Sequence, residues 1–225
     1  MIQAIVTDIE GTTSSIDFVH ETLFPYARQH LRAFLHAHAG EPAVQQELAA
    51  VAQEAGQELD LDQAADLLER WIDEDRKITP LKSLQGLIWA QGYAAGELQG
   101  HVYPDTPECL RQWHAAGLKL YVYSSGSVAA QKLIFGHSNA GDLTPLFSGY
   151  FDTRIGAKRE VAAYQAILAE IGLPGAAVLF LSDIGAELDA ARDAGLHTCQ
   201  LLREEKAERA SAHPAATDFH QVRLD

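Results

Sequence analysis

Cysteine is scarce in this chain: its 225 residues hold two, Cys109 and Cys199, far apart and outside any CxxC pair. That argues against a disulfide framework or a cysteine-based zinc site and leaves both thiols as expected reduced core residues. Positive charge is also short. Seventeen Lys and Arg against 31 Asp and Glu give a formal net charge of -14, the reverse of what binding a nucleic-acid backbone requires. No apolar run approaches the length of a membrane span, and the start MIQAIVTDIE lacks the basic, apolar and small-residue parts of an export leader. There is no internal repeat or low-complexity tract. The ten His residues include no pair at a chelating helical spacing such as i, i+4, and His36 and His38 face different ways on a predicted helix. The expectation is a soluble, cytoplasmic, monomeric protein that binds neither nucleic acid nor membrane. A small anionic ligand is still allowed, provided that a cation and a few local donors meet it against a repulsive long-range field.

What is present is a regular alternation. With 47% hydrophobic and 21% charged residues the chain is long enough for one α/β domain and a sizeable insertion. Three short apolar runs end alike: AIVTDIEG reaches Asp8, LKLYVYSSGS (118–127) reaches Ser124 and Ser125, and AVLFLSDIGAE (177–187) reaches Asp183. Each is nearly continuous in Val, Ile, Leu, Phe or Tyr and is followed by a Gly-containing turn, the pattern of a strand buried on both faces. Residues 106–117, 128–136, 159–172 and 186–195 have helical apolar spacing, and most of these segments end in Gly. A fourth strand is predicted at HTCQLL (197–202), and the tail HPAATDFHQVRLD offers a short edge strand through Phe219, Val222 and Leu224.

The fold class is therefore α/β, a doubly wound parallel sheet with right-handed crossovers and a ligand beyond the carboxyl ends of its strands. Four successive helical patterns interrupt the alternation, punctuated by Gly40, Gly56, Pro80 and Gly92. The predicted organisation is a core of residues 1–13 and 101–225 with an inserted helical cap domain, residues 14–100.

Asp8, Ser124, Ser125 and Asp183 then converge on one rim, although they are scattered in sequence. Together with Lys158 of IGAKRE they suit phosphate chemistry. Asp8 and Asp183 would hold Mg²⁺, with Glu10 as a further ligand through its backbone carbonyl, because this hard cation takes a few carboxylates plus water and phosphate oxygens. Lys158, the Ser124 hydroxyl, Ser125 and nearby N–H groups would bind the phosphoryl oxygens. Asp8 could attack phosphorus to give an aspartyl-phosphate. Glu10, two residues on, could give a proton to the leaving oxygen and take one from the attacking water. Gly11 would let the backbone turn sharply enough to bring both acids to the ligand. Plainer readings compete: Asp8 and Asp183 as caps or turn formers, Ser124 to Ser127 as an ordinary turn, and Lys158 as a solvated lysine. Glu187 and Asp189 either support the metal from behind or charge the first turn of a helix.

The runs DIEGTT, VYSSGS, IGAK and FLSDIGAE resemble, in order, the four motifs of the haloacid dehalogenase-like phosphatases. The resemblance implies a Rossmann-like core with the nucleophile at Asp8, the hydroxyl at Ser124, the phosphate-binding Lys at 158 and the metal-binding acid at Asp183. The second acid of the first motif is usually Asp, and here it is Glu10. That departure, with VTDIEGTTSSIDFVHETLFPYA, LKSLQGLIWAQGY and FDTRIGAKREVAAY, is similar to the enolase-phosphatase family of methionine salvage over nearly the whole chain. Membership would imply a small phosphorylated diketone, 2,3-diketo-5-methylthiopentyl-1-phosphate, converted in one Mg²⁺-dependent site to an enol phosphate and then to 1,2-dihydroxy-3-keto-5-methylthiopentene and phosphate. Phe18, Phe24, Leu87 and Trp89 are candidates for an apolar wall around the methylthio tail, against a plain core role, and His20 and Glu21 either face substrate or cap a helix. Alternatives are another phosphatase or dehalogenase on the same core, or a phospho-receiver module, which fits poorly with a phosphoacceptor on the first strand.

Overall fold

The computed structural model describes residues 1–204, 207–210 and 212–224. It divides into two compact units, Met1–Ile16 with Gln99–Asp225, and Asp17–Leu98.

The first unit is built on a six-stranded parallel sheet. β1 (Ala4–Thr7), β2 (Lys119–Tyr123), β3 (Phe147–Phe151), β4 (Val178–Ser182), β5 (His197–Leu201) and β6 (Ala215–Ala216) lie in the order β3-β2-β1-β4-β5-β6. β1 is central, with Ile5 registered against Leu120 on one side and Leu179 on the other. Side chains along these strands alternate between two cores, as the two-residue period of a strand demands. Ala4, Val6, Val178 and Phe180 pack with Tyr164 and Ile167 of α7 (Val161–Ile171) and Leu188 of α8 (Gly185–Asp193). Ile5, Leu179 and Leu181 pack on the opposite face with Leu110 and Trp113 of α5 (Asp105–Ala115). Both faces are thus covered, which explains the unbroken apolar runs. The winding turns to opposite sides of β1, so the loops after β1, β2 and β4 meet at a switch point.

The helical unit holds a π-helical stretch, Phe18–Leu23, running into α1 (Phe24–His38), then α2 (Pro42–Ala55), α3 (Leu61–Asp73) and α4 (Thr79–Ala94). Its core takes one stripe from each helix: Leu31 and Leu35, Val44 and Val51, Leu68 and Trp71, Leu84 and Ile88. Asp60 and Gln63 form a reciprocal capping box at the start of α3. Arg28 and Arg32 of α1 pair with Asp62, Asp66, Glu69 and Asp73 along α3. Gly92 is needed for a close approach, since a Cβ there would lie 2.7 Å from the Tyr26 ring.

Two elements differ from the sequence expectation. β3 carries no clear strand signal, because FSGYF includes Ser and Gly and only its last residue is buried. The tail strand is β6, earlier than expected, while Phe219–Gln221 forms a 3-10 turn capped by Asp218, whose side chain accepts from Gln221 N–H at 3.2 Å. Phe219 and Val222 are buried anchors of the α5 face instead. Their i, i+3 spacing suits a turn better than a strand. Both cysteines are free and buried.

Candidate active site

The site begins where β1 stops. Asp8 extends the ladder by one hydrogen bond, its N–H donating to Leu181 O at 2.9 Å, and its Oδ1 accepts from Ile9 N–H at 2.8 Å. The carbonyl of Ile9 then accepts from Thr12, Thr13 and Ser14 N–H at 3.1, 2.9 and 2.9 Å, coiling the chain into one tight turn. Gly11 sits in that turn at φ 68°. A Cβ there would overlap the Asp183 carboxylate, so glycine is required both for conformation and for the approach of the two acid loops.

Lys158 lies between two carboxylates, its Nζ 2.6 Å from Asp8 Oδ1 and 2.8 Å from Glu187 Oε2. Its loop is held by tyrosines. Tyr164 OH donates to Lys158 O at 2.7 Å and Tyr123 OH to Gly156 O at 2.9 Å. Glu187, in the first turn of α8, also accepts from Ser182 Oγ at 3.0 Å, and the same hydroxyl is 3.4 Å from Asp8 Oδ2.

One residue beyond β2, Ser124 is fully buried. Its Oγ donates to Glu10 Oε2 at 3.3 Å and accepts from Gly126 N–H at 3.1 Å. Ser125 is exposed at the head of the same loop. The loop is fixed from below by Gln131 of α6 (Val128–Gly136), whose Nε2 donates to Gly126 O and Phe151 O, both at 2.8 Å. Asp152 Oδ2 takes Val128 N–H at 3.2 Å.

Asp183 follows β4 and is half-buried. Its backbone carbonyl accepts from Gln200 Nε2 at 2.8 Å. Among the described residues its Oδ1 is buried without a hydrogen-bond partner, as is Thr12 Oγ1 in the turn that carries Asp8.

The electrostatics follow from crowding. Burial, then the Asp8 charge, raises the carboxyls of Glu10 and Glu187 above the usual range, and pushes Asp183 up to about 7. Burial alone would depress Lys158, but Asp8 and Glu187 outweigh it and hold the ammonium above its ordinary value. Among the described residues Asp8, Glu10, Asp183 and Glu187 share one ammonium, that of Lys158. Among the described residues no three His, Cys, Asp or Glu side chains form a closed metal site. The orphaned Asp183 oxygen and the surplus of negative charge nevertheless fit a hard divalent cation bound through few protein ligands, the remaining positions going to water and substrate oxygens.

The structure therefore gathers Asp8, Glu10, Ser124, Lys158 and Asp183, and leaves Ser125 facing solvent. Of the two open acids, Glu187 joins the cluster and Asp189 does not, pairing with Arg192 and His213 at 2.9 and 3.2 Å. Sequence reasoning misses Ser182, Gln131 and Gln200. Ser182 had a signal, its position immediately before an acid at a strand end; the two amides had none.

Residues 2–195 match the haloacid dehalogenase-like hydrolase family, the class that this fold and cluster define. Two proteins called Enolase-phosphatase E1 are similar along their whole length. That of Pseudomonas aeruginosa (strain UCBPP-PA14) is 59% identical over 98% of both chains. That of Methylococcus capsulatus is 59% identical over 99% of this chain and 98% of the other. The crystal structure of the Unknown transcript 4 protein of Saccharomyces cerevisiae superposes with a TM-score of 0.83 at 31% identity, covering 99% of this chain and 100% of that one. The chain belongs to the enolase-phosphatase family of the haloacid dehalogenase-like hydrolases.

Proposed function

We propose that the chain is a Mg²⁺-dependent enolase-phosphatase of methionine salvage. It converts 2,3-diketo-5-methylthiopentyl-1-phosphate to 1,2-dihydroxy-3-keto-5-methylthiopentene and phosphate. The observation that carries this reading is the Lys158 ammonium, 2.6 Å from Asp8 Oδ1, beside an acid, Glu10, whose carboxyl is raised and held by Ser124. Asp8 is the nucleophile and attacks phosphorus to form an aspartyl-phosphate. Glu10, whose carboxyl is raised by burial and the Asp8 charge, gives a proton to the leaving oxygen and later takes one from the hydrolytic water. Lys158 and the Ser124 hydroxyl, with Ser125 at the mouth of the same loop, hold the phosphoryl oxygens. Glu10 is also the candidate base for the carbon-bound proton of the enolisation.

Asp8, Asp183 and the Glu10 carbonyl would hold Mg²⁺, which supplies neutralisation of the phosphate and polarisation of the adjacent ketone. In this reading the sheet unit is the catalytic core and the helical unit the cap, with Phe18, Phe24, Leu87 and Trp89 as candidates for apolar recognition. Phe24 and Trp89 already stand together, ring centroids 6.1 Å apart. The enzyme acts as a cytoplasmic monomer on a freely diffusing substrate. No helix among the described residues is long and apolar enough to cross a membrane.

The test follows ultraviolet absorbance of the enol species and release of phosphate together, in the parent, Asp8→Asn and Glu10→Gln. Asp8→Asn is expected to stop phosphate release while enol phosphate accumulates, and Glu10→Gln to slow both signals. Phosphate release by Asp8→Asn near the parental rate would exclude the covalent route. A parent that forms neither product from the diketo phosphate would exclude the function.

A further inference from the structure

The turn that carries Asp8, Glu10 and Gly11 is secured from a distant part of the chain. Arg203, two residues after β5, is almost fully buried, its side chain 4% exposed. Its Nε donates to Thr12 O at 2.9 Å and its Nη1 to Asp105 Oδ1 at 2.8 Å. Nη2 lies 3.4 Å from Thr106 Oγ1. The guanidinium plane is packed between two rings, 4.4 Å from the Tyr103 centroid and 4.9 Å from that of Phe219. Asp105 is fixed in turn, its Oδ2 accepting from Phe219 N–H at 2.8 Å. The next carbonyl of the turn, Thr13 O, accepts from Tyr103 N–H at 2.9 Å and Thr106 Oγ1 at 3.4 Å.

We infer that Arg203 is a positioning residue for the reaction, acting through the Thr12 carbonyl to set where the Asp8 and Glu10 carboxylates stand relative to Asp183. This inference rests on the enolase-phosphatase reading for its chemical consequence. The physical argument is that the turn has two shoulders. One is the Asp8 N–H, tied to Leu181 O of β4; the other is Thr12, tied to Arg203. Between them Gly11 packs so close to the Asp183 side chain that a Cβ there would collide with its carboxylate, so a shift at Thr12 is felt by both acid loops. A buried guanidinium with a paired carboxylate and two stacked rings is a stiff anchor, and its planar fork reaches Thr12 and Asp105 together. Lysine at this position keeps the charge but has neither the fork nor the plane. Displacements of about 1 Å in an attacking group cost on the order of 100-fold in rate, so a modest loosening of this shoulder is visible in turnover.

The test uses the full chain with Arg203→Lys and Arg203→Met, read in two ways well below the melting temperature. Amide hydrogen exchange is followed in the peptide spanning residues 8–15 and in peptides from β4 and α7. Steady-state kcat and KM are measured with p-nitrophenyl phosphate and Mg²⁺. In Arg203→Lys, exchange of the 8–15 peptide is expected to accelerate about tenfold with β4 and α7 unchanged, and kcat to fall about tenfold with KM within about twofold of the parent. Arg203→Met should show the same pattern more strongly, and if it does not fold Arg203→Lys decides. Unchanged exchange in 8–15, acceleration shared equally by β4 and α7, or a parental kcat would each overturn the inference. A parent that does not hydrolyse the ester would count against the functional reading alone, because the exchange comparison still decides whether Arg203 fixes the turn.

Discussion

Lys158 occupies a place where an ammonium is costly to bury and costlier to remove. Its side chain is 10% exposed, and it is ion-paired with Asp8 and Glu187 at once. Breaking such a buried arrangement from one side costs roughly 3–5 kcal/mol, because the partner charges are left behind. Lys158→Met is therefore expected to lower the melting temperature by about 10 °C and to reduce phosphate release by 100-fold or more, measured by calorimetry and a phosphate assay. Asp183 gives a pH signature to the metal-free protein. Its folded value of about 7 lies above the ordinary 3.8, so the folded state keeps a proton that the unfolded state has already released. The resulting stability is complete below about pH 4 and is lost as pH rises through 7. With chelator present, melting should drop by several degrees between pH 5.5 and 8, and Mg²⁺ should restore it at pH 8 if Asp183 binds the ion. From sequence alone the strand-end residues Asp8, Ser124 and Asp183 are legible because apolar runs point at them. Glu187 is ambiguous, since an acid in a first helical turn has a sufficient local reason to be there, and only the tertiary approach of Lys158 separates the two roles.

At the scale of elements, legibility follows burial. β1, β2 and β4 bury both faces and announce themselves as apolar runs, whereas β3, with one buried residue, has no such pattern. The two-residue β6 is likewise too short to leave a period. Gln131 and Gln200 are silent because their side-chain amides donate to backbone carbonyls, which every sequence supplies, and Arg203 is silent because its carboxylate partner, Asp105, lies far away in the sequence. The turn after β1 makes its own prediction. Gly11→Ala must adopt φ 68° and also push into the Asp183 carboxylate. The strain is about 1–3 kcal/mol, and separation of the acid loops should cut phosphate release by about 100-fold while far-ultraviolet circular dichroism stays parental. A Gly11→Ala enzyme with parental turnover would show that the loops have slack.

Over the whole molecule, a formal charge of -14 opposes the approach of a phosphorylated substrate, while the cationic attraction of Lys158 is short-ranged and buried. Raising ionic strength from about 10 to 150 mM shrinks the Debye length from roughly 30 to 8 Å and screens the repulsion. The expected result is a rise of about twofold in kcat/KM with kcat unchanged, the opposite of the usual response of an electrostatically steered enzyme. The two chain crossings into the helical unit add a further consequence. Inside the sheet unit the two flanking segments are tied to each other, Ser15 N–H donating to His101 Nδ1 at 3.1 Å and Tyr103 N–H to Thr13 O at 2.9 Å, so the stretch Asp17–Leu98 is joined to that unit at one stitched seam. Such a seam makes the inserted stretch a replaceable cassette: the sheet unit sees the same two ends whatever is spliced between them.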